Sequence, residues 1–114
     1  MKKFLIFLVF SLPASAFAGW LDVTSKVDRL VTYAHNNTVL VYLSKTGSDV
    51  TACSNKTGFA ISKTIEPEAR ARMYSMLLAA QASDRDVTVT YNDTGNCEPW
   101  DAGETVFRKI VRLR

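Results

Sequence analysis

Histidine and cysteine are scarce in this chain of 114 residues, which contains one histidine, His35, and two cysteines, Cys53 and Cys97. A site that needs two histidines is therefore excluded. A four-thiolate zinc site and a cysteine-held iron–sulfur cluster are excluded as well. At this length the chain forms one domain at most. We expect no metal site, no cofactor and no multidomain enzyme.

Long apolar runs are also rare, and the one present lies at the N-terminus. A basic start and an uncharged segment, 4–12, precede Pro13, and Ala16 and Ala18 occupy the two positions that a signal peptidase reads. The segment is shorter than the roughly 20 residues that span a bilayer. The sequence therefore predicts a signal peptide over residues 1–18, export to the periplasm or the extracellular space, and no stable membrane insertion.

An excess of positive charge is almost absent once this segment is removed. The formal net charge of the whole chain is +3, but Lys2 and Lys3 belong to the predicted signal peptide. Without them, 12 of the 14 basic side chains remain against 11 acidic ones, a net charge of +1. A chain so nearly neutral is not typical of a polyanion binder.

Basic residues are nevertheless concentrated in the last predicted strand, at Arg108, Lys109, Arg112 and Arg114. Basic strands with interleaved aromatics can bind single-stranded nucleic acid. The alternative is a solvated edge strand that charge protects from aggregation. We favour the edge strand and expect no nucleic-acid partner.

The two cysteines lie in polar, loop-like surroundings. In an oxidising compartment Cys53 and Cys97 are expected to form a disulfide, because two cysteines permit only one intrachain pair. A loop of this length would stabilise the fold by roughly 3–4 kcal/mol in the chain-entropy account.

The hydrophobic pattern predicts five strands and one helix. The strands cover residues 26–34, 38–44, 58–63, 87–92 and 104–113, the helix covers 66–82, and a turn at 35–37 and loops at 45–56 and 93–103 connect them. In the first strand Val27 and Val31 share one parity while Leu30 has the other. That slip predicts a bend or a bulge.

Pro67 suits the first turn of the predicted helix. Its buried face is predicted at Ala69, Met73, Met76, Leu77 and Ala80. The second half of the helix is apolar nearly all round, which is typical of a helix covered on two sides. If the protein assembles, we expect Tyr74, Leu78 and Gln81 to form the second buried face, an oligomer interface.

The order β-β-β-α-β-β predicts a mainly β fold with one helix. It is the order of an OB-fold, a five-stranded and partly open barrel, and bent strands suit a small barrel. We predict a single OB-fold-like domain over residues 19–114. The alternative is an α+β roll with the helix on one face of a sheet.

Three segments carry a resemblance to a known family: the opening strand KVDRLVTYA, the stretch CSNKTGFAIS, and the run ARMYSMLLAAQASDRDVTVTYNDTGNC. They resemble small secreted OB-fold proteins of Gram-negative bacteria that include the B subunits of AB5 toxins, nearest to the subtilase-cytotoxin B-subunit type. The resemblance implies a binding module for a glycan or a protein. It also implies a homo-oligomeric ring whose helices line the centre.

No residue pattern predicts catalysis. His35 lies beside asparagines with no accompanying nucleophile pattern, so we interpret it as a turn residue rather than a general base. The carboxylates are scattered, and no pair is set apart as a glycosidase would require. The chain is therefore predicted not to be an enzyme.

Trp20 and Trp100 are the candidate binding residues, because large aromatics in loops commonly anchor sugars or protein partners. The alternative is that they close the ends of the barrel. The alternative function is a soluble periplasmic structural or stress-related protein of the same fold with no small ligand. Oligomeric state separates the two functions, since only the binding module is expected to form rings.

Overall fold

A computed structural model describes residues 19–114, and the predicted signal peptide over residues 1–18 lies outside the described residues. The described chain is mainly β with one helix, as predicted. Its elements are β1 (Trp20–Tyr33), β2 (Asn36–Leu43), β3 (Gly58–Ile61), α1 (Pro67–Ala82), β4 (Asp86–Asn92), β5 (Cys97–Trp100) and β6 (Gly103–Leu113).

The sequence pattern missed one strand and misplaced one turn. The predicted loop at 93–103 contains β5, a four-residue strand whose letters, CEPW, show no alternation and include a proline. The predicted turn at 35–37 is shifted, because Asn36 already pairs with Tyr33 at the start of β2. Strand β1 begins at Trp20, earlier than predicted, because pairing with β4 holds its polar first half in the sheet.

The six strands form one sheet in the order β3-β2-β1-β4-β6-β5, and β3 additionally pairs with β6. The pairings are antiparallel except for this last one, which is parallel and joins Phe59 to Arg108 and Ala60 to Lys109. Strand β6 therefore has β4, β5 and β3 beside it along its length. The interpretation of the last strand as a free edge is wrong, because β6 is paired on both sides, and two of its partners, β3 and β4, are distant from it in sequence.

Strand β1 serves two halves of the sheet. Its first half, from Trp20 to Lys26, pairs with β4, and its second half, from Val27 to Tyr33, pairs with β2. The register shifts between Val27 and Arg29. A bulge increases the local twist, so one strand can turn from one partner to the other. The irregularity predicted from the slipped alternation is confirmed here.

Neighbouring residues of β2 and β3 face two separate clusters. Val41 and Phe59 lie in the main core, whereas Leu40 and Ala60, on the opposite face, belong to a smaller cluster with Phe107. Side chains alternate across a strand, so both faces of these strands are covered. The β5–β6 hairpin provides the cover of the outer face.

The helix has the predicted extent, but its buried face is rotated. Leu77 and Ala80 are buried, whereas Met76, predicted inside, is 44% exposed. The face turned to the sheet also includes Arg70, whose Nε donates to the Ile65 carbonyl at 2.9 Å. Long polar side chains bury their aliphatic stems in such positions. An apolar periodicity does not count them, and the predicted face is displaced accordingly.

The predicted disulfide is confirmed: Cys53 and Cys97 are bonded, with 5.6 Å between their Cα atoms. It joins the loop at 44–57 to the start of β5. A disulfide fits a non-cytoplasmic compartment. Within residues 19–114, no helix combines the length and the apolar character needed to cross a bilayer.

Candidate functional site

The two tryptophans lie in different strands, near opposite ends of β1. Trp20 begins β1, is 58% exposed, and has the Arg112 guanidinium 5.1 Å from its ring centroid. Trp100 ends β5 and contacts Tyr33, which is the last residue of β1, with ring centroids 5.2 Å apart. The structure therefore does not bring Trp20 and Trp100 into one site.

Tyr33, His35 and Trp100 form a continuous surface that we name the aromatic patch. The Tyr33 ring lies 5.8 Å from His35 and 5.2 Å from Trp100, in edge-to-face arrangements. Trp100 in turn packs at 5.8 Å on Phe107, which is buried beneath it. Tyr33 is 43% exposed. Edge-to-face contacts of this kind fix the ring positions while leaving Tyr33 and His35 open to solvent.

Two hairpin turns present this patch side by side. The β1–β2 turn follows Tyr33, and the β5–β6 turn follows Trp100, which pairs with Gly103. In the second turn Asp101 has a φ of 51°, a left-handed conformation that Asp adopts more readily than most residues. Local turn chemistry therefore places each ring, and tertiary packing brings the two rings together.

An open cavity of about 420 Å³ with a mixed polar and apolar lining lies at the other end of β5. It forms where β3 ends and β6 continues, beyond the parallel pair Ala60–Lys109. Its polar lining is Ser62, Thr64, Asn96 and Lys109, and its apolar lining is Ile65, Ile110 and Val111. Lys109 Nζ donates to the Asn96 side-chain oxygen at 3.3 Å.

Glu98, on β5 between the patch and the cavity, is fully buried. Its Oε2 accepts hydrogen bonds from Thr38 Oγ1 at 2.7 Å and from the Lys63 amide at 3.0 Å. Burial acts to raise the pKa of Glu98, but the Ser62 hydroxyl, the Lys63 amide, the Thr38 hydroxyl and the Lys109 charge together lower it below the ordinary value. The carboxylate is therefore ionised and ties β5 to β2 and to the end of β3.

The two oxygens of this carboxylate differ. Among the residues of the described chain, Glu98 Oε1 has no hydrogen-bond partner, and Lys109 Nζ is 3.9 Å away. A carboxylate that stays ionised at neutral pH is not a general acid, which must carry a proton. The arrangement suits fixing a strand or recognising a polar group.

Arg108 is the second buried charge, and it lies on the inner face of β6. Its guanidinium stacks on the Phe59 ring, 3.9 Å from the centroid. It donates to four backbone carbonyls, those of Thr46, Ser48, Lys56 and Gly58. Burial lowers the pKa of Arg108, while Tyr91 and Asp49 act in the opposite direction. The side chain clamps the loop at 44–57 onto the core.

The basic residues of β6 thus do not form one groove. Arg108 is inside and Lys109 approaches Glu98, whereas Arg112 and Arg114 lie within 4.0 and 3.1 Å of the carboxylate of Asp22 on β1. The four charges have three different local environments, with Arg112 and Arg114 sharing Asp22, and the sequence cluster is dispersed by the strand's alternation and length.

The helix residues predicted as an interface lie in unlike environments. Tyr74 packs against the main core, and Gln81 Nε2 donates to the Asp28 carbonyl at 3.2 Å. Leu78 is 45% exposed. Of the three, Leu78 is the residue that faces solvent. Met76 is exposed to a similar extent, but on another side of the helix, since residues two apart do not share a face.

Within residues 19–114, no group of three or more His, Cys, Asp or Glu residues could hold a metal ion. Neither Tyr33 nor Glu98 belongs to the site residues predicted from the sequence. Tyr33 lies near the end of the strand predicted over 26–34, just before a predicted turn, and this position is the signal that could have found it. Glu98 directly follows Cys97, and its burial depends on the disulfide-anchored hairpin that no local pattern indicated.

Comparison of the chain with protein-family models, with curated proteins and with solved structures finds no match.

Proposed function

We propose that this protein is a non-enzymatic exported binding module that recognises a glycan or a protein through the aromatic patch. The observation that carries the proposal is the exposed Tyr33 ring, packed against Trp100 above the buried Phe107. Tyr and Trp are the side chains that most often anchor binding surfaces, since they offer large contact area with few rotatable bonds.

We propose further that the fold is an OB-type barrel. The strand pairings run β1–β2, β2–β3, β3–β6, β6–β4 and β4–β1, a closed circuit, and the helix lies between β3 and β4 in the chain. This is the barrel circuit expected of five OB strands. In this proposal β5 is an addition, a hairpin arm within the connection from β4 to β6.

The hairpin arm covers the face on which OB-folds usually bind their ligands, so the proposal assigns binding to the aromatic patch instead. OB-folds bind oligonucleotides and oligosaccharides on the face of their second and third strands. Here that face carries Leu40 and Ala60, and Phe107 from the hairpin covers it. Trp100 is packed in the same cluster. A base could stack there only after the hairpin had moved away.

Two observations support the other parts of the proposal. The Cys53–Cys97 disulfide is consistent with export. His35 packs against Tyr33 in a hairpin turn and so belongs to the aromatic surface that the proposal assigns to binding.

Assembly into a ring through the outer helix face is a further part of this proposal. From Met73 to Ser83 the helix carries no charged residue, although Met76 and Leu78 are about half exposed. A surface helix normally presents charged residues on its solvent face. A second copy of the chain is the proposed occupant, since a ring repeats one contact between identical chains.

A glycan array probed with the purified exported protein tests the binding proposal. Tyr33→Ala is expected to weaken binding about tenfold or more, as removal of a central aromatic anchor does. Trp20→Ala is the matched control, because it removes an exposed ring of β1 remote from the patch, and it is expected to bind as the wild type does.

A negative array together with a monomeric protein in sedimentation would contradict the proposal. That outcome would support the alternative function, a soluble periplasmic structural or stress-related protein without a small ligand. Equal losses in Tyr33→Ala and Trp20→Ala would place the ligand outside the aromatic patch.

A further inference from the structure

The backbone nitrogen of Gly19 lies between the two carboxylate oxygens of Asp93. The distances from Gly19 N to Oδ1 and Oδ2 are 3.2 and 3.3 Å. In return, the Asp93 amide donates to the Gly19 carbonyl at 3.2 Å. A peptide nitrogen carries one hydrogen, so the two oxygens must share it in a bifurcated bond. An ammonium group carries three and can serve both oxygens at once.

We propose that Asp93 is the receptor for a new N-terminus that cleavage after Ala18 creates at Gly19. Water adds across the Ala18–Gly19 peptide bond; the carboxylate leaves on Ala18, and the amine remains on Gly19. At neutral pH this amine takes up a proton. The amide contact then becomes an ion pair with charge-assisted hydrogen bonds, which are stronger than neutral ones. The inference rests on the proposed export.

The receptor lies at the first rung of the β1–β4 ladder. Trp20 pairs with Asn92, so Gly19, which precedes Trp20, and Asp93, which follows Asn92, lie next to each other just beyond the end of the ladder. The end of a two-stranded ladder is where pairing is lost most readily, because it has neighbours on one side only. An ion pair at this point holds the exposed Trp20 and the start of β1 against β4.

Asp93 is exposed to solvent, which limits how much its ion pair can stabilise the fold. Exposed ion pairs contribute modestly to stability. We expect loss of the pair to raise the unfolding equilibrium constant about two- to fivefold. An effect of this size is measurable by denaturant unfolding when the variants share the same fold.

The experiment uses the exported protein and a variant with one threonine inserted between Ala18 and Gly19. After cleavage the insertion moves the amine one residue away from Asp93. Both proteins are also made with Asp93→Asn, and mass spectrometry establishes each N-terminus. The insertion is expected to raise the unfolding constant about two- to fivefold beside Asp93 and to have no effect beside asparagine. Asp28→Asn, at another exposed aspartate, is the control.

Two results would overturn the inference, and they are distinguishable. An exported product that begins at a residue other than Gly19 would contradict the processing site. A product that does begin at Gly19, but in which the insertion has the same effect with aspartate and with asparagine, would refute Asp93 as the receptor while the proposed export stands.

Discussion

Arg108 and Glu98 are buried charges on neighbouring strands, and their environments differ. Arg108 points into the main core, where four backbone carbonyls and the Phe59 ring surround it. Glu98 belongs to the hairpin arm, and its side chain is buried between the arm and the outer face of the sheet. One of its oxygens is hydrogen-bonded and the other faces Lys109. Among residues 19–114, each leaves one polar atom, Arg108 Nε and Glu98 Oε1, without a hydrogen-bond partner.

This difference distinguishes a buried charge that only stabilises the fold from one that lies close to a cavity. The Arg108 guanidinium is enclosed by protein, and its hydrogen bonds hold the loop at 44–57 in place. Glu98 is joined by way of Lys109 to a cavity that opens beside β5. A buried charge directed entirely at backbone carbonyls stabilises one conformation, whereas a half-satisfied one beside a cavity leaves room for a ligand group or water.

The largest effect is expected from Arg108→Met. The methionine fills part of the volume but removes the guanidinium donor from three carbonyls of the loop at 44–57 and from that of Gly58 in β3; of these, the Ser48 carbonyl keeps the Tyr91 hydroxyl as a donor. A buried acceptor left without a donor costs about 1–3 kcal/mol, and several carbonyls are affected, so the free energy of unfolding should fall by about 3–5 kcal/mol in total. Denaturant unfolding measures it.

Arg112→Met is the matched control on the same strand. Its side chain is half exposed and lies at the 4.0 Å limit of an ion pair with Asp22, so its loss should cost less than about 1 kcal/mol. Equal costs for the two variants would show that burial of Arg108 does not matter and would remove the contrast with Glu98.

A smaller effect is expected from Glu98→Gln, about 1–3 kcal/mol, because glutamine keeps the volume but loses charge-assisted bonds to Thr38 and Lys63. Glu104→Gln, an exposed residue of β6, is the control and should change stability by less than about 0.5 kcal/mol. A Glu98 variant as stable as this control would contradict the role of the carboxylate in holding the hairpin arm.

The same residue predicts a pH dependence of stability. The pKa of Glu98 is lower in the folded protein than the ordinary value of the unfolded chain. Its contribution is therefore fully present above the ordinary pKa and is lost as the pH falls through the folded pKa. The stability difference between wild type and Glu98→Gln should shrink over that acidic window, and a difference that stays constant with pH would refute it.

The smallest effect on the folded subunit is expected from Leu78→Glu, on the outer helix face remote from both buried charges. An exposed substitution should change the stability of the subunit by less than about 0.5 kcal/mol. In a ring the new carboxylate would lie unpaired in an interface, so the oligomer should dissociate. Sedimentation at equal concentration compares Leu78→Glu with the wild type. Ser75→Glu, one turn earlier in the helix, tests whether that turn also belongs to the interface. A wild type that sediments as a monomer would end the ring proposal.

Local patterns determined several features of this protein by themselves. The helix bounds follow from Pro67 and the apolar repeat, the bulge in β1 from a slipped alternation, and the disulfide from the count of cysteines. The helix bounds and the bulge depend on residues close in sequence, and the disulfide follows because two cysteines permit only one pair. The helix face was predicted only approximately, because Arg70 and Gln81 bury part of their length while remaining polar.

Only the tertiary structure decided where the candidate site lies. Trp100 meets Tyr33 from a strand that has no alternation, and Glu98 is buried because the hairpin arm folds onto β2 and β3. Arg108 belongs to a basic run in the sequence, yet alternation turns it inward while Lys109 turns outward. These contacts join residues that lie far apart along the chain. Local propensity and periodicity describe the neighbours of a residue in sequence, and the pairing of distant strands selects its neighbours in space.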